Sequence, residues 1–147
     1  MSYKKMYIAV RDDAPDYMVP TLVAHSILNA HSKFMTSSES HDKGHAHKYI
    51  RWYQDSFRKV VIRVGQKEYD KIKAEHFHHE GHENTICGGE GCCLVVLPVE
   101  SDSVPNVLRY AEMWKPKETK CKIPAPLSDV VDGLACAFSL KKVLDNA

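Results

Sequence analysis

Hydrophobic positions change period along the chain, and the changes mark its elements. Residues 6–10, Met-Tyr-Ile-Ala-Val, form an unbroken apolar run rich in strand-forming side chains, as expected of a strand buried on both faces. A charged corner, Arg11-Asp12-Asp13, and then Pro15 close it. Val23, Ile27, Ala30 and Phe34 follow at steps of four, three and four, the stripe of an amphipathic helix. Strand, short charged loop and helix make the first half of a βα unit. Loops at the carboxyl end of such strands are where open α/β sheets bind ligands, and His25 lies within the helix that follows.

Residues 36–48 are polar, hold one glycine and show no apolar period, which predicts a loop. Residues 49–57 set Tyr49 or Ile50, Tyr53 and Phe57 on one helical face, a short second helix with Trp52 beside the stripe. Residues 58–64, Arg-Lys-Val-Val-Ile-Arg-Val, read as a β-branched strand ended by Gly65. A charged surface helix carrying Tyr69 and Ile72 is expected over 66–77, and a polar connection over 76–84. Cys87-Gly88-Gly89-Glu90-Gly91 predicts a tight turn between a short strand near 84–87 and the most apolar strand, 92–99. A phosphate-cradling loop should lead into a helix, whereas this one leads into a strand, so a hairpin is the better reading. Ser103 and Pro105 open a helix running to about Trp114. Three prolines with alternating lysines make 115–127 an extended linker, and Val131, Leu134 or Ala135, Phe138 and Val143 predict a terminal helix within 128–147. The alternation predicts an α/β domain over 1–114, built on a mixed four-stranded sheet with helices on both faces, onto which the terminal helix packs.

Composition narrows the class. The chain's 147 residues suit a single domain with a substantial core. No apolar stretch approaches the roughly 20 residues of a membrane span. The N-terminus has two lysines but only a strand-length apolar run, so it reads as mature structure and favours the cytoplasm. Five cysteines, an odd number with three crowded into one segment, do not suit a secreted disulfide framework and read as reduced thiols. A net charge of +1 gives no global drive toward nucleic acid. Residues 1–75 nevertheless hold 13 Lys/Arg against 9 Asp/Glu, which suits either a basic face or an ordinary solvated surface.

Histidines gather in two stretches. His41, His45 and His47 lie in the first polar loop, and His76, His78, His79 and His82 surround Gly81. A zinc site using His78, His82, Cys87 or Cys92 can be drawn, but neither a C-x2-C pair nor an H-E-x-x-H helix is present. No metal and no cofactor is therefore expected.

Over residues 5–114 the sequence resembles the archaeal and eukaryotic type of peptidyl-tRNA hydrolase, the second of two unrelated hydrolase families. The motifs are Val10-Arg11-Asp12-Asp13 ending the first strand, Ala24-His25-Ser26 in the helix, Trp52 ahead of Lys59-Val60-Val61-Ile62-Arg63-Val64, and the glycine turn with its apolar strand over 89–98. Their order agrees with that family. The departures concern activity: Tyr17-Met18 stands where the family has Gly-Lys, Pro20-Thr21-Leu22 where it has Ala-Ala-Gln, and Glu80-Gly81-His82-Glu83-Asn84 where it has D-x-G-x-T.

The resemblance implies hydrolysis of the ester joining a peptide to the terminal ribose of tRNA. That reaction needs a positioned water, a proton acceptor and a donor for the oxyanion, together with cationic contacts to phosphate. On this reading His25 transfers the proton, Asp13 or Glu80 orients it or the water, and Asn84 donates to the oxyanion. Arg11, Lys33 and Lys48 supply contacts to RNA or substrate. Each has a plainer structural alternative: an Arg11–Asp13 ion pair, a solvated Glu80, a His25 bonded to its helix neighbours. The missing lysine favours a second hypothesis, a non-catalytic relative that binds RNA, a protein or a small ligand in the same groove. An exposed edge strand would allow a homodimer.

Overall fold

The first strand, β1 (Lys4–Arg11), is central, with neighbours on both sides and both faces buried. In the computed structural model, which describes residues 2–117, β1 runs parallel to β2 (Arg58–Val64) through seven residue pairs, from Lys5↔Arg58 to Arg11↔Val64. Its other edge takes β4 (Cys93–Val96) antiparallel, followed by β5 (Val99–Glu100) beside Lys4 and Lys5. β3 (His78–Gly81) pairs antiparallel with β4 at one sheet edge, and β6 (Glu112–Met113) pairs with β2 at the other. The order β3-β4-β1-β2-β6 is an open mixed sheet of the expected α/β class, with two short strands beyond the four predicted.

Alternation along β1 builds two cores. Met6, Ile8 and Val10 face α1 (Val19–Thr36) and α3 (His45–Gln54), packing with Leu22, Ala30, Phe34, Tyr49 and Trp52. Tyr7 and Ala9 point the other way, toward Tyr69 and Ile72 of α4 (Gln66–Glu75) and Leu108 of α5 (Asn106–Arg109). Helices thus cover both faces, and a continuous apolar strand is what such burial requires. Among the described residues, no helix is long and apolar enough to cross a membrane.

Four expectations are corrected. The polar stretch 36–48 is not one loop: α2 (Ser38–Asp42) forms there, with Ser37 Oγ accepting from the Ser40 amide at 3.1 Å, and Gly44 at φ +72° separates it from α3. The strand before the glycine turn is His78–Gly81, whereas Asn84 and Thr85 form a turn. An edge strand with polar side chains lacks the apolar signature by which strands are read. The helix from Ser103 shrinks to the single turn of α5, because the chain then extends to pair with the outer edge of β2; the Trp114 amide donates to Val61 O at 2.9 Å. Finally, the buried stripe of α1 is Val19, Leu22, Ser26, Ala30 and Phe34, with Val23 and Ile27 only half-buried. The polar Ser26 at its centre disguised the true face. Most of the expected linker and the whole terminal helix, 118–147, lie outside the described residues.

Candidate functional site

Strands β1, β2 and β3 point the same way, because β4 is antiparallel to both β1 and β3. Their carboxyl ends share one rim with the start of α1 and with the loop 82–92, which carries the chain from β3 to β4. This is the rim expected to hold a ligand in an open sheet.

On the α4 side of the rim, Arg11 ends β1 and is buried. It grips Asp13 with both faces of its fork, Nε to Oδ1 at 2.6 Å and Nη2 to Oδ2 at 2.8 Å. Nη1 reaches the loop, donating to Gly91 O at 3.4 Å and lying 3.7 Å from Glu90 Oε2. The bidentate bond from Arg11 holds the Asp13 carboxyl below its ordinary range. Arg11 is therefore a clamp between strand and loop, with much of its donor capacity already engaged.

Glu80 lies on the same side. Its carboxylate accepts from the Tyr69 hydroxyl at 2.8 Å and pairs with Lys73 Nζ at 3.1 Å. Burial pushes Glu80 up, but these two partners outweigh it and hold the group below its usual value. Burial and the bond to Glu80 together raise the Tyr69 phenol well above its ordinary range. A Cβ at Gly91 would fall 2.2 Å from Glu80 Cδ, so a larger residue there would have to displace the Glu80 side chain from its place under the loop.

His25 occupies the α1 side, half exposed, with Nδ1 3.9 Å from Glu83 Oε1. Glu80 and Glu83 diverge because alternation along β3 sends Glu80, opposite Leu94, toward α4, and Gly81, opposite Cys93, toward α1. The chain passes close beneath α1 at Gly81 and delivers Glu83 to His25. Asn84 follows, exposed in the turn closed by the Ile86 amide bonding Glu83 O at 3.2 Å.

The predicted residues thus fall into separate groups. Arg11 and Asp13 are joined directly, and Glu80 lies on their side of the sheet. His25 and Asn84 belong with Glu83, which sequence reasoning passed over. Lys33, late in α1, donates to His78 O at 2.7 Å and lies 5.1 Å from the Phe77 ring centre, near the start of β3. Lys48 is exposed on α3 at the edge of a cavity of about 320 Å³ that also involves Lys4, so it belongs to the opposite, amino-terminal rim of β1. Among the described residues, no three His, Cys, Asp or Glu side chains are placed to hold a metal ion. The histidines near Gly81 have other roles: His78 bonds His76 O at 2.7 Å, and burial lowers His79. Tyr69 and Lys73 were visible only as members of a helix, and Glu83 was hidden beside the better-matching Glu80 and Asn84. No family model matches the chain, and no curated protein does.

Proposed function

We propose that this chain is a peptidyl-tRNA hydrolase-like protein of the archaeal and eukaryotic type, acting on the ester between peptide and tRNA. The observation that carries the reading is the pairing of half-exposed His25 with the partly buried Glu83, on the rim where an open sheet binds its ligands. In this reading the imidazole of His25 takes the proton of the attacking water and Glu83 orients the ring. Their 3.9 Å separation is longer than a hydrogen bond, as such contacts often are before substrate tightens them. Asn84, next in the chain, supplies an amide donor for the oxyanion. Arg11 and Asp13 shape the rim by fastening the loop, and Glu80 supports the same loop from beneath. Lys33 and Lys48 contribute positive potential to RNA from outside the reacting centre.

The engagement of Glu80 by Tyr69 and Lys73 favours a second reading, a relative that binds RNA without cleaving it. Release of peptide from purified peptidyl-tRNA separates the two. The hydrolase reading expects release above background, reduced about 10²–10⁴-fold in His25→Ala. Background release by folded wild-type protein that still retains tRNA on a filter would establish the second reading instead.

A further inference from the structure

Phe57 is a poor match for its own backbone. Its φ of +52° is a left-handed conformation that glycine takes easily and a bulky side chain rarely does. Three hydrogen bonds clamp it there: the Phe57 amide donates to Trp52 O at 2.9 Å, Trp52 Nε1 to Arg58 O at 2.7 Å, and Lys59 Nζ to Phe57 O at 2.8 Å. Burial does not explain the choice of residue, because the ring stands 48% exposed. Backbone strain held in this way gathers at ligand-binding surfaces. Phe57 also ends a row of rings. Its centre lies 5.4 Å from that of Tyr53, itself 51% exposed, and Tyr53 lies 5.6 Å from His31 of α1, which is exposed too. Leu28, 72% exposed, is a helical neighbour of both His31 and His25, so the row adjoins the His25–Glu83 pair within about 9 Å of helix axis.

The two helices that carry the row are free of acid. Neither α1 nor α3 contains an Asp or Glu, whereas they carry Lys33, Lys48 and Arg51. Asp55, just past α3, faces Arg51 at 3.6 Å, and Lys59 Nζ stands 3.5 Å from the centre of the Phe57 ring. Exposed rings beside cations on acid-free helices complement a polymer that alternates flat π faces with negative charge. An apolar protein partner would use the rings but gives no reason for the missing acids. We propose that Tyr53, Phe57 and Lys59 bind single-stranded RNA, unpaired bases stacking on the two rings and Lys59 meeting a phosphate. A duplex keeps its base faces stacked inside and is a poorer fit. The inference deepens the RNA-binding part of the function proposed above, on which it rests for its partner, and needs no ester cleavage.

The test measures fluorescence anisotropy of a labelled, non-self-complementary RNA of about 12 nucleotides with the full-length chain, against the same RNA annealed to its complement. Tighter binding of the single strand is expected. Tyr53→Ala and Phe57→Gly should each weaken it about 5- to 100-fold. Glycine suits the left-handed backbone at 57, so thermal unfolding should show that variant folded. Lys59→Gln should flatten the slope of log affinity against log salt by about 0.7. No binding by folded wild-type protein, or one affinity shared by wild type, Tyr53→Ala and Phe57→Gly, would overturn the proposal. So would self-association that Phe57→Gly abolishes while RNA binding persists, because a second copy would then cover the row. Oligonucleotide binding by a chain that releases no peptide from peptidyl-tRNA would end the hydrolase reading and support this one. Peptide release without oligonucleotide binding would do the reverse.

Discussion

Ser26 Oγ occupies the place a side chain at position 81 would need: a Cβ built on Gly81 would lie 1.8 Å from that oxygen and 2.6 Å from Ser26 Cβ. Ser26 is held there by donating to Leu22 O at 2.7 Å. The helix α1 therefore rests on β3 at backbone distance. Gly81→Ala should destabilise by about 1–3 kcal/mol or more through overpacking, measured by urea unfolding. Adding Ser26→Gly, which removes both clashing atoms, should recover part of the loss despite about 1 kcal/mol of helix cost. Equal stability of Gly81→Ala and wild type would contradict this packing.

The Tyr69 hydroxyl ties α4 to the edge strand through Glu80. Tyr69→Phe keeps the ring in its core but leaves Glu80 with Lys73 alone. A loss of about 1–3 kcal/mol is expected, the range for leaving a partly buried acceptor short of a donor. Thermal unfolding would check this, and a wild-type melting temperature would rule out a stabilising role for the bond.

Asp13 is depressed by its bond to Arg11, so its contribution to stability is complete above the ordinary carboxylate range and is lost as pH falls through its folded value. The Asp13 side chain is half exposed, so solvent screening limits the effect to about 1 kcal/mol or less. Asp13→Asn should be less stable than wild type at neutral pH, and the two should converge in acid. A gap that widens in acid would reverse the sign and refute the assignment.

Two histidines behave in the opposite chemical sense with the same pH trend. His45 stacks on Phe77 at 4.0 Å between ring centres, and among the described residues its buried Nδ1 has no hydrogen-bond partner, nor has Nε2 of His76. Burial lowers both from the ordinary 6.5, aided at His45 by Lys48 and Lys43. The neutral forms fit the fold, so stability should be full above 6.5 and fall as pH drops through the window below it. His45→Phe should flatten this slope in unfolding curves collected between about pH 7.5 and about pH 5. An unchanged slope would place the titration elsewhere.

The two acids of the β3 end can be told apart. On the proposed hydrolase reading, Glu83→Gln should reduce peptide release with little change in melting temperature, because Glu83 is partly buried beside His25 at 3.9 Å and, among the described residues, no shorter side-chain bond ties it to the fold. Glu80→Gln should lower stability, because it weakens the junction with Tyr69 and Lys73. Steady-state rates and thermal unfolding of both variants, measured side by side, would expose the reverse pattern if the roles were exchanged.

Much of the architecture was legible because it follows from apolar periodicity. The strand Arg58–Val64 appears with the bounds its β-branched run suggests, and β1 differs by only two residues at one end and one at the other. Where polar residues form regular structure, periodicity fails. His78–Gly81 is a strand whose Glu80 side chain finds its partners, Tyr69 and Lys73, on α4, and Ser26 is buried because glycine faces it. The site was legible residue by residue but not as a constellation. Arg11 and Asp13 are neighbours in the chain, so their pairing could be anticipated. The separation of His25 from Glu80 depends on which way a side chain points from an edge strand, and one position along β3 reverses that direction.

The sheet order has a consequence for how the chain is made. β1 emerges from the ribosome before both its principal neighbours, β2 about 50 residues on and β4 nearly 90. The strand most in need of partners must wait longest for them. A nascent chain halted after β2 would have one flank of its central strand open, with Val10 and Ile8 lacking the cover that β4 and the loop provide. Pairings of such long sequence separation favour slow folding and prolonged exposure of apolar edges. Conditions that delay synthesis of residues 65–96 should accordingly raise the fraction of this protein that aggregates or is degraded before it is complete.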